Sequence, residues 1–354
     1  MEDKTELSVP KYFAAANSYR GFISYFDKFF QSKDFDKIYV LKGGPGTGKS
    51  SFMKKVSTHF YNMGCYVEEI YCSSDPHSLD GVIVRKNDKA IAVLDGTAPH
   101  ERDAVIPGAI DELINLGDGW DEKTLSERKK EILSLSAEKA KCYKTAYFYL
   151  CAAGKSKEII RHFYNLSFDK YKAKIKAESI LANLQQNEKP QISTRLVSSF
   201  GRYGSYSLDT INLLSERVIG ISGSEESADI FLKIIYEKLV EKGINFTQFK
   251  AVLSPDDTDA ILIDQDKTAI VRSADGEICA DEFLDLSPAD QERTRTARVT
   301  HAELLDEARR WFAIASDMHF RLEEIYGEAM NFEKNNKLIE EKNRQIENIL
   351  ENIR

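Results

Sequence analysis

Short apolar runs of strand length alternate along this chain with longer stretches in which apolar residues recur every three or four positions. Ile38-Tyr39-Val40-Leu41 ends in glycines, which predicts a buried strand running into a turn. Beyond that turn Phe52, Met53, Val56 and Phe60 share one helical face, and Gly64 is the stop signal for the helix. Val82-Ile83-Val84 and Ile91-Ala92-Val93-Leu94 flank a polar Asn87-Asp88 pair, so two strands joined by a turn follow. From Glu122 to about Asn187 the spacing is helical and heptad-like through Leu125, Ile132, Leu135, Cys142, Ala146 and Tyr149. Near the C-terminus Ile325, Phe332, Ile339, Ile346 and Ile353 recur at sevenfold spacing, with Ala329, Asn336, Asn343 and Leu350 between them. Two asparagines in that seam weaken an isolated coiled coil. The expectation is two helical hairpins, each packed on itself or on its neighbour, with a partner-binding or dimerising coiled coil as the alternative.

The pattern then repeats. Gly64, Pro76, Asp80, Ala90 and Ile91 recur as Gly243, Pro255, Asp259, Ala269 and Ile270, a constant offset of 179 (243 − 64). Upstream, Gly43 falls on Gly223 at an offset of 180, and Tyr12 to Gly21 lies over Arg195 to Gly204 at an offset of 183. Val218-Ile219-Gly220-Ile221 is the second copy of the strand, and Ile230, Phe231, Ile234 and Ile235 mark the second copy of the helix. Strand–loop–helix–strand units imply an α/β fold of two tandem units, each with a mostly parallel sheet and a helical extension. The expected division is 1–120 for the first core, 121–190 for its extension, 191–285 for the second core and 286–354 for the C-terminal extension.

The chain has 354 residues, 42% hydrophobic and 30% charged, with a net charge of −8. That balance argues against a broad nucleic-acid surface, which needs clustered Lys and Arg. The opening Met1-Glu2-Asp3-Lys4 lacks the features of a signal peptide, and no run is long and apolar enough for a membrane span, so a cytoplasmic protein is expected. Five cysteines without a C-x-x-C pair are read as reduced thiols.

The chemistry concentrates in Gly43-Gly44-Pro45-Gly46-Thr47-Gly48-Lys49-Ser50-Ser51, which fits G-x-x-x-x-G-K-[S/T] between a strand and a helix. Glycines let successive backbone N–H groups point at one anion, and the helix N-terminus adds to the field. Lys49 is placed for the β- and γ-phosphates of ATP and Ser50 for Mg²⁺. The acid ending the next apolar strand, Asp95, is the expected second metal ligand. Gly96 and Thr97 follow it, so the water-polarising glutamate of many ATPases is missing from its usual place. Asp75, His77, His100, Glu101 and Arg102 lie in loops within reach of a γ-phosphate. By contrast Gly154-Lys155-Ser156 spells part of the motif on a helix surface, with Tyr149 where the first glycine belongs.

The second loop, Gly223-Ser224-Glu225-Glu226-Ser227-Ala228-Asp229-Ile230, is degenerate. Asp229 or, one residue off, Ala228 stands for Lys49, and Glu225 and Glu226 lie where the first loop has Pro45 and Gly46. Carboxylates there oppose a triphosphate. Asp275-Gly276 is the acid near the expected strand end, and Arg195 or Arg202 is a candidate to reach across to the first loop.

Lys42 to Ser51, Cys72-Ser73-Ser74-Asp75-Pro76 with Leu79-Asp80-Gly81, Asp95-Gly96-Thr97-Ala98-Pro99-His100, Pro107-Gly108-Ala109 and Asn115-Leu116-Gly117-Asp118 together resemble a poorly characterised bacterial family of tandem P-loop ATPases. The resemblance covers most of the first unit closely and the second loosely. It implies a P-loop fold and ATP binding, with Lys49, Ser50 and Asp95 in the usual roles, and no substrate. The expected function is a Mg-dependent, slow ATPase that moves its helical extensions or a protein partner. A nucleotide or small-molecule kinase and a nucleotide-sensing scaffold are the alternatives; Arg85, Arg102 and Arg128 are too scattered for a kinase lid. A GTPase fits less well, since neither D-x-x-G after the strand nor N-K-x-D is found.

Overall fold

The computed structural model describes residues 8–99, 101–273, 282–285 and 292–351. The first half contains β1 (Lys11–Phe13), a hairpin of β2 (Ala15–Ser18) and β3 (Gly21–Ser24), the short α1 (Phe26–Phe29), β4 (Lys37–Lys42) and α2 (Lys49–Asn62). Then come β5 (Tyr66–Tyr71), β6 (Leu79–Lys86), β7 (Lys89–Asp95), β8 (Asp111–Asn115) and the helices α3 (Glu122–Glu127), α4 (Lys129–Ser167) and α5 (Lys170–Ile180). The second half repeats the series: β9 (Ile192–Arg195), β10 (Ser198–Gly201), β11 (Gly204–Ser207), α6 (Thr210–Leu214), β12 (Arg217–Ser222), α7 (Glu225–Lys242), β13 (Phe246–Lys250), β14 (Thr258–Ile263), β15 (Thr268–Arg272) and β16 (Glu282–Asp285). Two long helices, α8 (Arg295–Glu328) and α9 (Phe332–Leu350), close the chain.

The first sheet has the order β1-β5-β6-β7-β4-β8 and the second β9-β13-β14-β15-β12-β16, the same order strand for strand. Within each sheet one strand, β6 or β14, runs against the other five. The α/β architecture of two matching halves is therefore present. The two turns of the hairpins also match in kind: Asn87 and Lys267 both hold positive φ.

Register fixes the correspondence more finely than residue identity does. Leu41 pairs with Asp95, and the amide of Gly96 donates to the Leu41 carbonyl; Ile221 pairs with Arg272, and the amide of Ser273 donates to the Ile221 carbonyl. Arg272 is thus the counterpart of Asp95, at an offset of 177 (272 − 95) rather than 179. The hairpin between β14 and β15 is two residues shorter than that between β6 and β7. A slip of two preserves the alternation of faces, so the core pattern is unaffected.

Three apolar layers organise the packing. The inner faces of both sheets, with Ile38, Val40 and Leu94 from one and Val218, Leu262 and Val271 from the other, belong to one continuous core that also takes in Phe13, Phe30, Ala146 and Phe312. The outer face of the first sheet packs on Phe52, Val56 and Phe60 of α2 and on Ile339, Ile346 and Leu350 of α9. The outer face of the second packs on Phe231, Leu232 and Ile235 of α7 and on Ala173, Ala177 and Leu181 around α5. The extensions are therefore exchanged: the helix that ends the second half covers the first, and the helix that ends the first half covers the second.

Helices α4 and α8 pair with each other along much of their length. Contacts of Arg128 with Glu328, Lys139 with His319 and Tyr143 with Phe312 show that they run antiparallel. Under one offset of 162 their buried positions coincide: Ala146 with Ala308, Leu150 with Phe312, Ala153 with Ala315, Ile160 with Leu322. The repeat thus extends through the helices. Phe13 donates its amide to the carbonyl of Leu196, its own counterpart (196 − 13 = 183), which marks an approximate two-fold axis between the halves.

This arrangement corrects the C-terminal coiled-coil seam. The sevenfold series is split between α8 and α9: Ile325 packs with Leu135 beside α4, whereas Ile339 and Ile346 enter the core of the first half. Asn336 accepts a hydrogen bond from Lys55 of α2 at 2.6 Å. Ile353 lies outside the described residues. Because Ile346 is fully buried in the first half's core, Ile346→Ala should cost about 2–5 kcal/mol. Hydrogen exchange should show the loss in α2 and β4–β7, more than 250 residues away in sequence; protection lost only in α9 would contradict the exchanged packing.

Candidate functional site

The loop from Gly43 to Gly48 leaves the end of β4 and opens α2, as its residue types require. Gly46 and Gly48 adopt left-handed φ of 70° and 85°, a region that side-chain-bearing residues avoid. No side chain caps the N-terminus of α2, whose cap residue is Gly48. The first-turn N–H groups of any helix lack partners within it, so here they are left to whatever enters the loop. Thr47, buried at its base, ties the turn by donating from Oγ1 to the Gly44 carbonyl at 2.9 Å.

Lys49 Nζ donates to the carbonyls of Gly43 (2.8 Å) and Gly44 (2.9 Å) and stands 3.6 Å from Asp95 Oδ2. Its ammonium is held in the loop by its own backbone. Asp95, on the strand next to β4, accepts from the amide and hydroxyl of Thr97 at 2.8 and 2.6 Å. Burial pushes the Asp95 carboxyl above its ordinary range, Lys49 pulls the other way, and Asp80 adds to the rise. Ser50 Oγ accepts from the Leu79 amide at 2.9 Å, and Ser51 on the same turn is exposed. The structure thus brings Lys49 against Asp95, with Ser50 following Lys49 on the first turn of α2.

These residues fit a phosphate and its metal. Among the described residues no group of three or more His, Cys, Asp or Glu side chains is arranged to hold a metal ion.

Sequence reasoning missed what covers the loop. A Cβ on Gly46 would lie 2.3 Å from the carbonyl oxygen of Glu323 in α8, so helix backbone rests on the apex. Gly44 faces the rings of Tyr326 and Trp120, and Gly48 faces Phe332 and Asn335. Asn335 Nδ2 donates to the Thr47 carbonyl at 2.8 Å. Lys139 of α4 lies 3.4 Å from His319 Nδ1, and His319 Nε2 lies 3.5 Å from Glu323. Burial, then the charges of Lys139 and Lys49, push the His319 imidazole down to about 4. Burial also raises the Glu323 carboxyl, Asp75 adding to the rise while Lys49 and Lys139 oppose it.

The other loop candidates go elsewhere. Arg102 is buried, donates to the Phe30 carbonyl at 2.6 Å and lies 3.5 Å from Asp111, so it braces the wall of the fold. The His77 ring packs against Tyr203 and Tyr206, and Glu101 is exposed. Asp75 closes its own turn by accepting from the His77 amide at 3.1 Å. Arg195 stacks on Phe29 and Tyr12, and Arg202 pairs with Asp317 at 3.3 Å. Neither reaches Lys49 or Asp95. His100 and Asp275-Gly276 lie outside the described residues, and the strand position matching Asp95 is filled by Arg272.

The second loop has become helix. Burial places Leu232 and Ile235 where the first unit has Met53 and Val56, an offset of 179, so Ala228 stands for Lys49 and Asp229 for Ser50. Helix α7 begins at Glu225, three residues earlier than its counterpart, with Ser224 Oγ capping the Ser227 amide at 3.1 Å. Lys157 pairs with Glu225 and, at 2.7 Å, with Glu226; Arg298 reaches Glu226 at 2.9 Å. Asp229 pairs with Arg272 and, at 3.0 Å, with Arg161, which also pairs with Asp257. Burial pushes the Asp229 carboxyl up to about 6 against the pull of Arg272. Ion pairs thus occupy the start of α7, at the positions equivalent to the first loop's end and Ser50.

Searched against protein-family models, curated proteins and solved structures, the chain matches none.

Burial opposes ionisation of Glu226, but Lys157 and Arg298 outweigh it and hold the carboxyl below its ordinary 4.5. A depressed folded-state value contributes stability above the unfolded value, and that contribution is lost as pH falls. Glu226→Gln should therefore cost about 2–3 kcal/mol near pH 7. The gap from wild type should narrow as pH drops below about 4.5; a constant gap across that range would remove Glu226 from the charge balance.

Proposed function

We propose that the chain binds one Mg-ATP at Gly43–Ser51 and hydrolyses it slowly, using nucleotide state to shift the ends of α8 and α9 that rest on the loop. The observation that carries this reading is the uncapped start of α2, with left-handed Gly46 and Gly48 and with Lys49 poised 3.6 Å from Asp95. On this reading Lys49 turns from the Gly43 and Gly44 carbonyls to phosphate oxygens, exchanging neutral acceptors for charged ones. Ser50 and Asp95 would supply the protein oxygens for Mg²⁺, which would offset the phosphate charge. No glutamate adjoins Asp95 to polarise water. Slow turnover follows from that missing base.

A kinase gains little support. Arg85 lies over the Phe35 ring, Arg102 is buried against Phe30, and Arg128 pairs with Glu131 and Glu328. The cover over the loop favours the nucleotide-sensing scaffold as the second reading, since contacts to Gly44, Gly46 and Gly48 transmit a change whether or not hydrolysis is fast. Among the described residues no helix is long and apolar enough to cross a membrane.

Calorimetry with a non-hydrolysable ATP analogue and Mg²⁺ should give one site per chain. Lys49→Ala should abolish it, and Asp95→Ala should chiefly weaken the magnesium dependence. Two sites per chain, or unchanged affinity in Lys49→Ala, would sink the reading. Phosphate release without an acceptor separates an ATPase from a kinase.

A further inference from the structure

The filled second site reveals what the cover of the first is built to do. Under the offset of 162 that aligns α4 with α8, His319 is the counterpart of Lys157, Glu323 of Arg161, Lys139 of His301 and Tyr326 of Tyr164. In the second half the covering residues bind anions supplied by the chain itself. Lys157, almost fully buried, holds the carboxylates of Glu225 and Glu226, and Arg161 holds Asp229 at 3.0 Å. Those carboxylates stand in the segment that corresponds to Pro45–Ser50. The cover of the first half stands over the same segment, with Glu323 backbone against Gly46 and with the Lys139–His319 pair beside it, but the loop beneath contains no acid. A loop without its anion faces a cover whose twin is an anion clamp.

We propose that Lys139 and His319 are anion-binding residues of the first site and close on the phosphates of a bound nucleoside triphosphate from the side opposite the loop backbone. The proposal rests on the nucleotide-binding reading above and adds the groups that complete the site. Geometry supplies its main support. His319 sits between Lys139, whose Nζ lies 3.4 Å from its Nδ1, and Glu323, 3.5 Å from its Nε2, and both Lys139 and Lys49 act on it electrostatically. Lys139 and Lys49 lie close enough to repel each other, and a triphosphate relieves that repulsion. Glu323 is the position where the two covers differ in sign, a carboxylate where Arg161 is a guanidinium. It compensates Lys139 before a ligand arrives, as the acids of the second loop compensate Lys157 and Arg161 permanently.

The test is calorimetric titration of the full chain with Mg-ATP. His319→Ala and Lys139→Ala should each weaken binding roughly tenfold or more, the usual loss when a charge-assisted contact to phosphate is removed. His319→Lys, which installs the residue found at the equivalent place in the second half, should bind within about threefold of wild type or more tightly. Neither Lys139 nor His319 belongs to an apolar core, and matching melting midpoints verify the fold. Wild-type affinity in both alanine variants overturns the proposal, as does a His319→Lys variant no better than His319→Ala. The two failures separate cleanly: a folded wild-type chain that binds no nucleotide sinks the parent reading, whereas binding that Lys49→Ala destroys and His319→Ala leaves alone sinks only this one.

Discussion

The pairing of α4 with α8 is the constraint on which the rest of the molecule depends. Each helix buries small and large residues at matching places, Ala146, Leu150 and Ala153 on one and Ala308, Phe312 and Ala315 on the other. Small side chains allow close approach of the two axes, and the antiparallel sense lets one seam serve both halves. Because the helices pass each other, each ends over the opposite half. The continuation of α8 into α9 then lays Ile339 and Ile346 on the first sheet, and α5 lays Ala173 and Ala177 against the second. Exchanged helices, a shared inner core and covered loops all follow from one packing choice.

From that symmetric frame the two loops diverged by opposite electrostatic solutions. The first kept glycines and a lysine, leaving donors without a permanent acceptor. The second replaced them with a capped helical turn whose acids are satisfied internally by Lys157, Arg161, Arg272 and Arg298. Arg272 in place of Asp95 and Asp229 in place of Ser50 is coherent: a cation sits at the strand end where the first half carries an acid, and it pairs with Asp229. Such a buried network is strongly destabilised by loss of any one member, while its net worth against apolar packing is modest. Its effect is to hold one end of α4 fixed. The open loop at the other end of the pair is then the place where a ligand can alter the balance.

Much of this was legible in the residues, and the reasons for the remainder are specific. The strand–glycine–helix succession at Ile38 to Phe60 carried both fold and site, because periodicity and turn chemistry are local. The repeat was visible at Gly64, Pro76 and Asp80, where backbone geometry restricts the residue. It misplaced β15 by two positions, since Ala90-Ile91 and Ala269-Ile270 match in letters and a two-residue slip keeps the same face inward. The counterpart of Asp95 was accordingly sought at Asp275 instead of Arg272. The repeat in the long helices was invisible, because positions such as Leu150 and Phe312 preserve burial rather than identity. The sevenfold seam near the C-terminus misled for a related reason: helices facing a sheet and helices facing each other need the same apolar spacing. Nothing in the sequence announced that Lys139, His319 and Glu323 meet over Gly46, for that contact joins segments about 180 and 280 residues apart and exists only through the exchanged packing.

The exchange also makes each half depend on the other for its packing. Removing the second half would strip α9 from α2, uncovering the apolar face that Phe52, Val56 and Phe60 share with Ile339 and Ile346. It would also remove Val218, Leu262 and Val271 from the inner core and take the cover from Gly44, Gly46 and Gly48. Burial of that surface is worth far more than any single ligand contact, since each large apolar side chain contributes roughly 1.5–3 kcal/mol. The second half is therefore structural scaffold for the first loop, whatever it itself binds. The acids at Glu225, Glu226 and Asp229 pair with the cations of the second loop's cover, so those charges are not left buried and unpaired.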